Sequence, residues 1–241
     1  MDQPLAAAVD GILFDLDGTL VDTVPDLLQA TNGVLAGLGL ASLDAPRIRS
    51  MIGTGERDLM RQALVAVLRE PPAETLLEQA HRAFDSAYAQ ANGRHSRLYD
   101  GVESGLRQLH DRGLPLAVVT NKPHAFSVAL LQSLGVADRF AAIVGGDSTP
   151  LRKPRALPLL HACAQLGITP AAALMVGDSP IDVAAARAAN CRVVCVTYGY
   201  TRGQDPREFG VPLLSRIDAL PALLQRACMP GAVRTPTLPT V

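Results

Sequence analysis

The sequence predicts an α/β fold, a doubly wound parallel sheet interrupted once by an all-helical insertion. Three features carry that prediction. Short apolar runs recur at strand length, amphipathic stretches separate the later runs, and one long helical interval follows the first run.

The apolar runs occupy residues 9–14, 114–119, 141–144, 173–176 and 192–196. Each is rich in Val, Ile or Leu without polar alternation, as expected of strands buried on both faces. Residues 102–112, 124–134, 155–166 and 180–189 have helical length and periodicity and supply crossover helices. Strand alternating with helix reads as a parallel sheet. The interval 21–98 is too long for one crossover. Its apolar residues keep helical spacing through Leu27, Leu28, Val34, Leu35 and Leu38, and again through Leu59, Met60, Ala63, Leu64, Val67 and Leu68. Pro71-Pro72 ends one helix there and precedes another that runs toward Ala91. Loops of that length without structure are uncommon in compact domains. The expected organisation is a core from residues 1–20 and 99–228, a helical domain from 21–98, and a disordered tail at 229–241 containing Pro230, Pro236 and Pro239.

Composition narrows the function. The chain has 241 residues, a formal net charge of −1, 4% aromatic residues and no Trp. Nothing in that balance supports a nucleic-acid or membrane-surface footprint. The four cysteines form no Cys-x-x-Cys pair and have no histidines at zinc spacing, and Cys191 and Cys195 read as same-face thiols of one strand. So few cysteines in a long chain point to a reducing cytoplasm. The N-terminal segment has no basic region followed by an apolar one, so no leader is expected, and no apolar stretch is long enough to span a bilayer.

Ligands of open α/β sheets bind at the carboxyl ends of the strands, so the residues there carry the functional reading. Phe14 is followed by Asp15-Leu16-Asp17-Gly18-Thr19, and Val119 by Thr120-Asn121. Val144 is followed by Gly145-Gly146-Asp147, with Lys153-Pro154 opening the next helix, and Val176 by Gly177-Asp178-Ser179 with Asp182 close behind. Taken singly, each reads as a turn or a cap: Ser179 suits an N-cap, Pro180 a first helical position, and Asp182 a first turn. Together they bring several acids, a hydroxyl and an ammonium to one sheet edge. Clustered carboxylates raise each other's pKa unless a cation neutralises them. Oxygen ligands without imidazoles suit Mg²⁺, which shares its shell with phosphate. Asp15 and Asp178 are the candidate carboxylate ligands. Asp15 is also placed to attack phosphorus, Asp17 to donate and accept a proton, and Thr120, Lys153 and backbone N–H groups near Leu16 and Asn121 to hold phosphoryl oxygens.

These segments resemble the motifs of the haloacid-dehalogenase superfamily of phosphohydrolases: FDLDGTLVDT (14–23), VVTN (118–121), Lys153-Pro154 and VGDSPID (176–182). The resemblance implies Asp15 as nucleophile and ligand, Asp17 as acid/base and backbone-carbonyl ligand, and Asp178 as ligand. It also implies Thr120 and Lys153 on the phosphate, with Ser179 and Asp182 just behind the metal site. The insertion after the first motif is similar to the family's helical cap. Within the family the likeness is closest to phosphoglycolate phosphatases, through HSRLYDGV (95–102), VTNKP (119–123), IVGGD (143–147), VTYGYTRGQ (196–204) and MIGTGERDLMRQAL (51–64). That implies Mg²⁺-dependent release of phosphate from 2-phosphoglycolate or another small phosphorylated metabolite.

A dehalogenase needs no acid two residues beyond its nucleophile, and a non-catalytic relative need not keep Asp15, Asp17, Lys153 and Asp178 together. A phosphosugar mutase keeps both acids and stays open. Gly53, Thr54, Gly55 and Arg57 are the candidate substrate-binding residues of the cap, although its glycines suit a helix-to-helix turn equally well.

Overall fold

The computed structural model describes residues 9–228; the tail expected at 229–241 lies outside them. The chain opens with β1 (Gly11–Phe14) and β2 (Val21–Asp22), followed by α1 (Val24–Gly37), α2 (Ala45–Met51), α3 (Glu56–Leu68) and α4 (Glu74–Ala91). β3 (Arg97–Leu98), α5 (Val102–His110), β4 (Leu116–Val119), α6 (His124–Ser133), β5 (Ala142–Val144) and α7 (Leu157–Leu166) come next. β6 (Ala173–Gly177), α8 (Pro180–Ala189), β7 (Arg192–Val196), β8 (Leu213–Leu214) and α9 (Leu220–Cys228) complete it. Among the described residues no helix is long and apolar enough to cross a membrane.

The main sheet has the order β5-β4-β1-β6-β7-β8 with every pairing parallel. The fold is therefore the doubly wound α/β class. Both faces of the sheet are covered. Ile12, Phe14, Val118 and Val176 pack with Val102 and Leu106 of α5 and Leu130 and Leu131 of α6. Leu13, Ala117, Val119 and Met175 pack on the other side with Leu159 and Ala162 of α7 and Ala185 and Ala186 of α8. Burial on both faces is why these strands are continuous apolar runs, and each large side chain so enclosed contributes roughly 1.5–3 kcal/mol.

Register then positions the chemistry. Phe14 lies opposite both Val118 and Val176, so β1, β4 and β6 end at nearly the same level. β1 is also where the chain's path divides, toward β4 and β5 on one side and β6 and β7 on the other, the kind of switch point at which open sheets bind ligands.

Helices α1–α4 bury a hydrophobic cluster of their own, including Leu27, Leu35, Met60, Leu64, Leu77, Phe84 and Tyr88. The chain leaves for these helices and returns through an antiparallel ribbon in which Val21 pairs with Leu98 and Asp22 with Arg97. α3 ends where Arg69 takes a left-handed conformation, and α4 starts just past Pro71-Pro72.

The cysteines depart from the sequence reading. Cys191 falls just before β7 and shares a cluster with Cys163, whereas Cys195 packs with Val183 and Phe209. β7 begins at Arg192, where the apolar run does, so Cys191 lies outside the strand and the two thiols do not line one stripe. All three are buried and free.

Candidate active site

Asp15 follows β1 directly. Its Oδ1 accepts from the Leu16 N–H at 2.8 Å and pairs with Lys153 Nζ at 2.8 Å, leaving Oδ2 without a donor among the described residues. Lys153 Nζ also reaches Asp182 Oδ1 at 2.7 Å. Asp182 closes a capping box at the start of α8: its Oδ2 accepts from Ser179 N–H at 3.1 Å and Ser179 Oγ at 2.7 Å. Asp178, at the end of β6, accepts from Thr19 Oγ1 at 3.1 Å on one oxygen and from the Tyr200 N–H on the other. Gly18 makes this closeness possible. Its φ is +89°, and a Cβ there would meet Asp178 Oδ2 at 2.3 Å and the Tyr200 ring at 2.9 Å.

The electrostatics are those of an under-neutralised cluster. Asp15, Asp178 and Asp182 each offer a carboxylate oxygen within 4.8 Å of the others, and all three are buried. Burial, then the Asp182 charge, pushes the Asp15 carboxyl up to about 7 against the opposing pull of Lys153. Asp178 is raised well above the usual carboxylate range by burial and by Asp182 and Asp15. Burial works against the Lys153 ammonium, but Asp15 and Asp182 outweigh it and keep the charge on. Asp182 and Lys153 largely satisfy each other, so the deficit falls on Asp15 and Asp178. A hard divalent cation fits that donor set and would favour the ionised form of both carboxyls against burial and mutual repulsion.

Asp17 turns away from this cluster. Its two carboxylate oxygens accept from Lys122 Nζ at 2.9 and 3.2 Å, which leaves only its backbone carbonyl as a candidate ligand. Thr120 is buried at the end of β4, where its Oγ1 accepts from the Lys122 N–H at 3.2 Å. The Asn121 side chain is a bracket. Its Nδ2 donates to Gly53 O and Lys153 O, each at 2.9 Å, and its Oδ1 accepts from Lys153 N–H at 3.0 Å. Its backbone N–H has no acceptor among the described residues.

The helical region forms the opposite wall of the cleft. Leu27, Ile52, Gly53, Gly55, Glu56 and Leu59 face Asp15, Asp17, Thr120, Asn121 and Lys122 across it. The cleft left between the two walls has a volume of about 30 Å³. Gly55, with φ +97°, lets the wall approach; a Cβ there would come within 2.7 Å of Arg152 Nη1. Thr54 and Arg57 are not on the wall. The Thr54 hydroxyl bonds Asp58, and Arg57 pairs outward with Glu74 and Glu78. Helix periodicity accounts for this: Glu56, at the start of α3, faces in, and its successor Arg57 faces out. Further core contacts hold the wall down, with Arg202 Nη1 donating to Ile52 O at 2.7 Å and Asn92 Nδ2 to Phe126 O at 2.9 Å.

Three side chains at this site were not singled out from the sequence. Lys122 is buried against Asp17, and Glu56 is buried on the opposite wall. Tyr200 joins the acid cluster to the ribbon: its hydroxyl donates to Asp22 Oδ1 at 2.6 Å and accepts from the N–H groups of Thr23 and Val24. One available signal was overlooked. Of 22 basic residues the chain has only two lysines, Lys122 and Lys153, and each reaches one of the first two aspartates of the first motif.

Residues 12–196 match the model of the haloacid dehalogenase-like hydrolase family. The chain is 44% identical over 197 residues to a phosphoglycolate phosphatase of Nitrosococcus oceani, covering 82% of this chain and 88% of that one. It is 39% identical over 221 residues to a phosphoglycolate phosphatase of Thiobacillus denitrificans, covering 92% and 95%. Among solved structures, a predicted phosphoglycolate phosphatase from Haemophilus somnus superposes with a TM-score of 0.85 at 32% identity, covering 89% of this chain and 97% of that one.

Proposed function

The chain belongs to the haloacid dehalogenase-like hydrolases, and from that membership we propose that it hydrolyses 2-phosphoglycolate to glycolate and phosphate through an aspartyl-phosphate on Asp15, with Mg²⁺ as cofactor. The names of its relatives support the substrate. The observation that carries the chemistry is the asymmetry of Asp15, which lines the cleft: Oδ1 is fixed by the Leu16 N–H and Lys153, and Oδ2 has no donor among the described residues.

In the first step Asp15 Oδ2 bonds to phosphorus and the ester oxygen leaves, taking a proton from the Asp17 carboxyl. In the second, Asp17 removes a proton from water, whose oxygen attacks phosphorus and releases phosphate with Asp15 restored. Lys153 and the free N–H of Asn121 stabilise phosphoryl oxygens. Asp15 and Asp178, with the Asp17 carbonyl, would hold Mg²⁺, which when bound supplies further positive charge to the phosphoryl group. The helices act as a cap that selects substrate and excludes water.

The test is phosphate release from 2-phosphoglycolate across a panel of phosphomonoesters, with and without chelator. Asp15→Asn should lose on the order of 10⁵-fold or more, as removal of a covalent nucleophile does elsewhere. Radiolabelled phosphate from the substrate should appear on Asp15 of the wild type after acid quench. Turnover in excess chelator, or an isomer accumulating in place of phosphate, would overturn this reading.

A further inference from the structure

We propose that Lys122 recognises the substrate's carboxylate, which makes it the specificity-determining residue for phosphoesters bearing a carboxylate one carbon from the ester oxygen. This inference rests on the phosphoglycolate reading and deepens it.

The cleft has a phosphate end built by Asp15, Thr120, Asn121 and Lys153. The other half of the substrate must lie against what remains: Leu27, Ile52, Gly53, Gly55, Glu56, Leu59 and Lys122. Besides Asp17, the proton donor between the two ends, that remainder is hydrocarbon and backbone except for Glu56 and Lys122. An anionic leaving group has one cation to meet there. Arg152 gives Nε to Gly146 O at 2.7 Å with Nη1 behind Gly55, and Arg202 gives Nη1 to Ile52 O; neither lines the cleft.

The reach is right. The ester oxygen must hydrogen-bond Asp17 to receive its proton, at about 2.7 Å, and Lys122 Nζ lies 2.9 Å from the same carboxylate. A carboxylate one methylene beyond that oxygen therefore comes within hydrogen-bond distance of Nζ. The ammonium has a donor to give. It carries three N–H bonds; two are directed at Asp17, and the Tyr88 ring, whose centroid lies 4.7 Å from Nζ, holds the charge through its π face without accepting a conventional hydrogen bond. The composition agrees. In a chain that uses arginine nearly everywhere else, a compact ammonium with three rotatable donors stands at this position, between Asp17 and the Tyr88 ring.

The experiment compares 2-phosphoglycolate with 2-hydroxyethyl phosphate, which replaces the carboxylate by a neutral alcohol. Wild type should prefer the acid in kcat/KM. Lys122→Met should slow both, because Asp17 loses its partner, but should cost the acid about 10–100-fold more, the scale of a charge-assisted hydrogen bond. A second readout needs no turnover. With only two lysines, [ε-¹³C]lysine labelling of the Asp15→Asn protein gives two resolvable side chains. The Lys122 resonance, identified by its absence from the double variant with Lys122→Arg, should shift with 2-phosphoglycolate and not with 2-hydroxyethyl phosphate. If wild type shows no preference for the acid, the phosphoglycolate reading itself fails. If wild type prefers the acid yet Lys122→Met loses equally on both substrates, or both ligands move Lys122 alike, Lys122 serves only to position Asp17 and the proposal is overturned. Should Lys122→Met not fold, the resonance titration decides alone.

Discussion

Two walls meet across the cleft, and they are built differently. On the core side, charged groups hold one another: Asp15 and Asp182 share Lys153, Asp17 holds Lys122, and Asp178 is held by Thr19 and Tyr200. On the helical side the cleft meets leucine, isoleucine, glycine backbone and one glutamate. The core wall sits at the level ends of three paired strands, where position is fixed by the sheet register. The opposite wall sits at the tips of helices joined to the core by a two-residue ribbon. A site that stabilises developing charge needs preorganised dipoles and ions; a surface that admits and encloses substrate needs close approach and little charge. On the proposed reading the charged wall carries the chemistry and, through Lys122, meets the substrate's carboxylate, while the helical wall encloses what the charged wall holds.

Short of removing the nucleophile, the largest effect should come from breaking the charged wall at Asp17. Asp17→Asn keeps the backbone carbonyl and the side-chain size while removing the proton. General acid catalysis is worth about 10²–10⁴-fold. In single turnover the variant should lose that factor with 2-phosphoglycolate, whose alkoxide needs a proton, and far less with p-nitrophenyl phosphate, whose phenolate leaves unaided. Steady-state rates should fall for both, since dephosphorylation of Asp15 also needs the base. Equal single-turnover losses would remove Asp17 from the acid role.

The charged wall was also the part more legible in the sequence. Asp15, Thr120, Lys153 and Asp178 each follow an apolar run, and a parallel sheet brings such positions to one edge whatever its details. Lys122 left no local signal of its own because a lysine three residues past a strand usually points to water; what fixes it here is a non-local partner, Asp17, on another strand's loop. Tyr200 works through the backbone N–H it gives Asp178 and the hydroxyl it gives Asp22, and neither leaves a pattern in the chain. β8, two residues long, is too short to show periodicity. On the helical wall, the turn glycines Gly53 and Gly55 stood out, but which neighbours faced inward depended on where α3 starts, and Glu56 and Arg57 differ by one position.

A smaller effect tests how the helical wall is carried. Asp26, in α1, is fully buried, and its carboxylate accepts from the N–H groups of Gly93, His95 and Ser96 and from Ser96 Oγ at 2.6 Å. It ties the first helix to the segment returning to the ribbon. Asp26→Ala leaves three backbone donors without acceptors, each costing about 1–3 kcal/mol when unsatisfied. The losses overlap, because the loop can shift toward water. A destabilisation of about 3 kcal/mol is expected in chemical denaturation. A loss below about 1 kcal/mol would mean that the return segment stays ordered without this tie and that the ribbon alone carries the helices.

The mildest prediction sharpens the contrast itself, because it asks whether the helical wall is uncharged near neutral pH. Glu56 is its one ionisable residue, and burial, opposed by Lys122, pushes its carboxyl up to about 7 from an ordinary 4.5. Below about pH 4.5 the group is protonated in folded and unfolded chains alike, and folding stability does not depend on it. As pH rises, the unfolded chain releases the proton first while the folded one retains it. Stability is therefore lost between about pH 4.5 and 7, and the loss is complete above that. At 1.36 kcal/mol per unit the difference comes to about 3 kcal/mol. Glu56→Gln is neutral throughout and escapes the loss. Asp15 and Asp178 titrate in both proteins, so their contributions cancel in the comparison. The stability of Glu56→Gln relative to wild type should therefore rise by about 3 kcal/mol between pH 4.5 and 8, measured by urea denaturation without added divalent ions. A gap that stays flat with pH would mean that Glu56 is ionised at neutral pH and balanced by Lys122. The helical wall would then contribute a charge of its own, and the ammonium assigned to the substrate would already be neutralised from both sides.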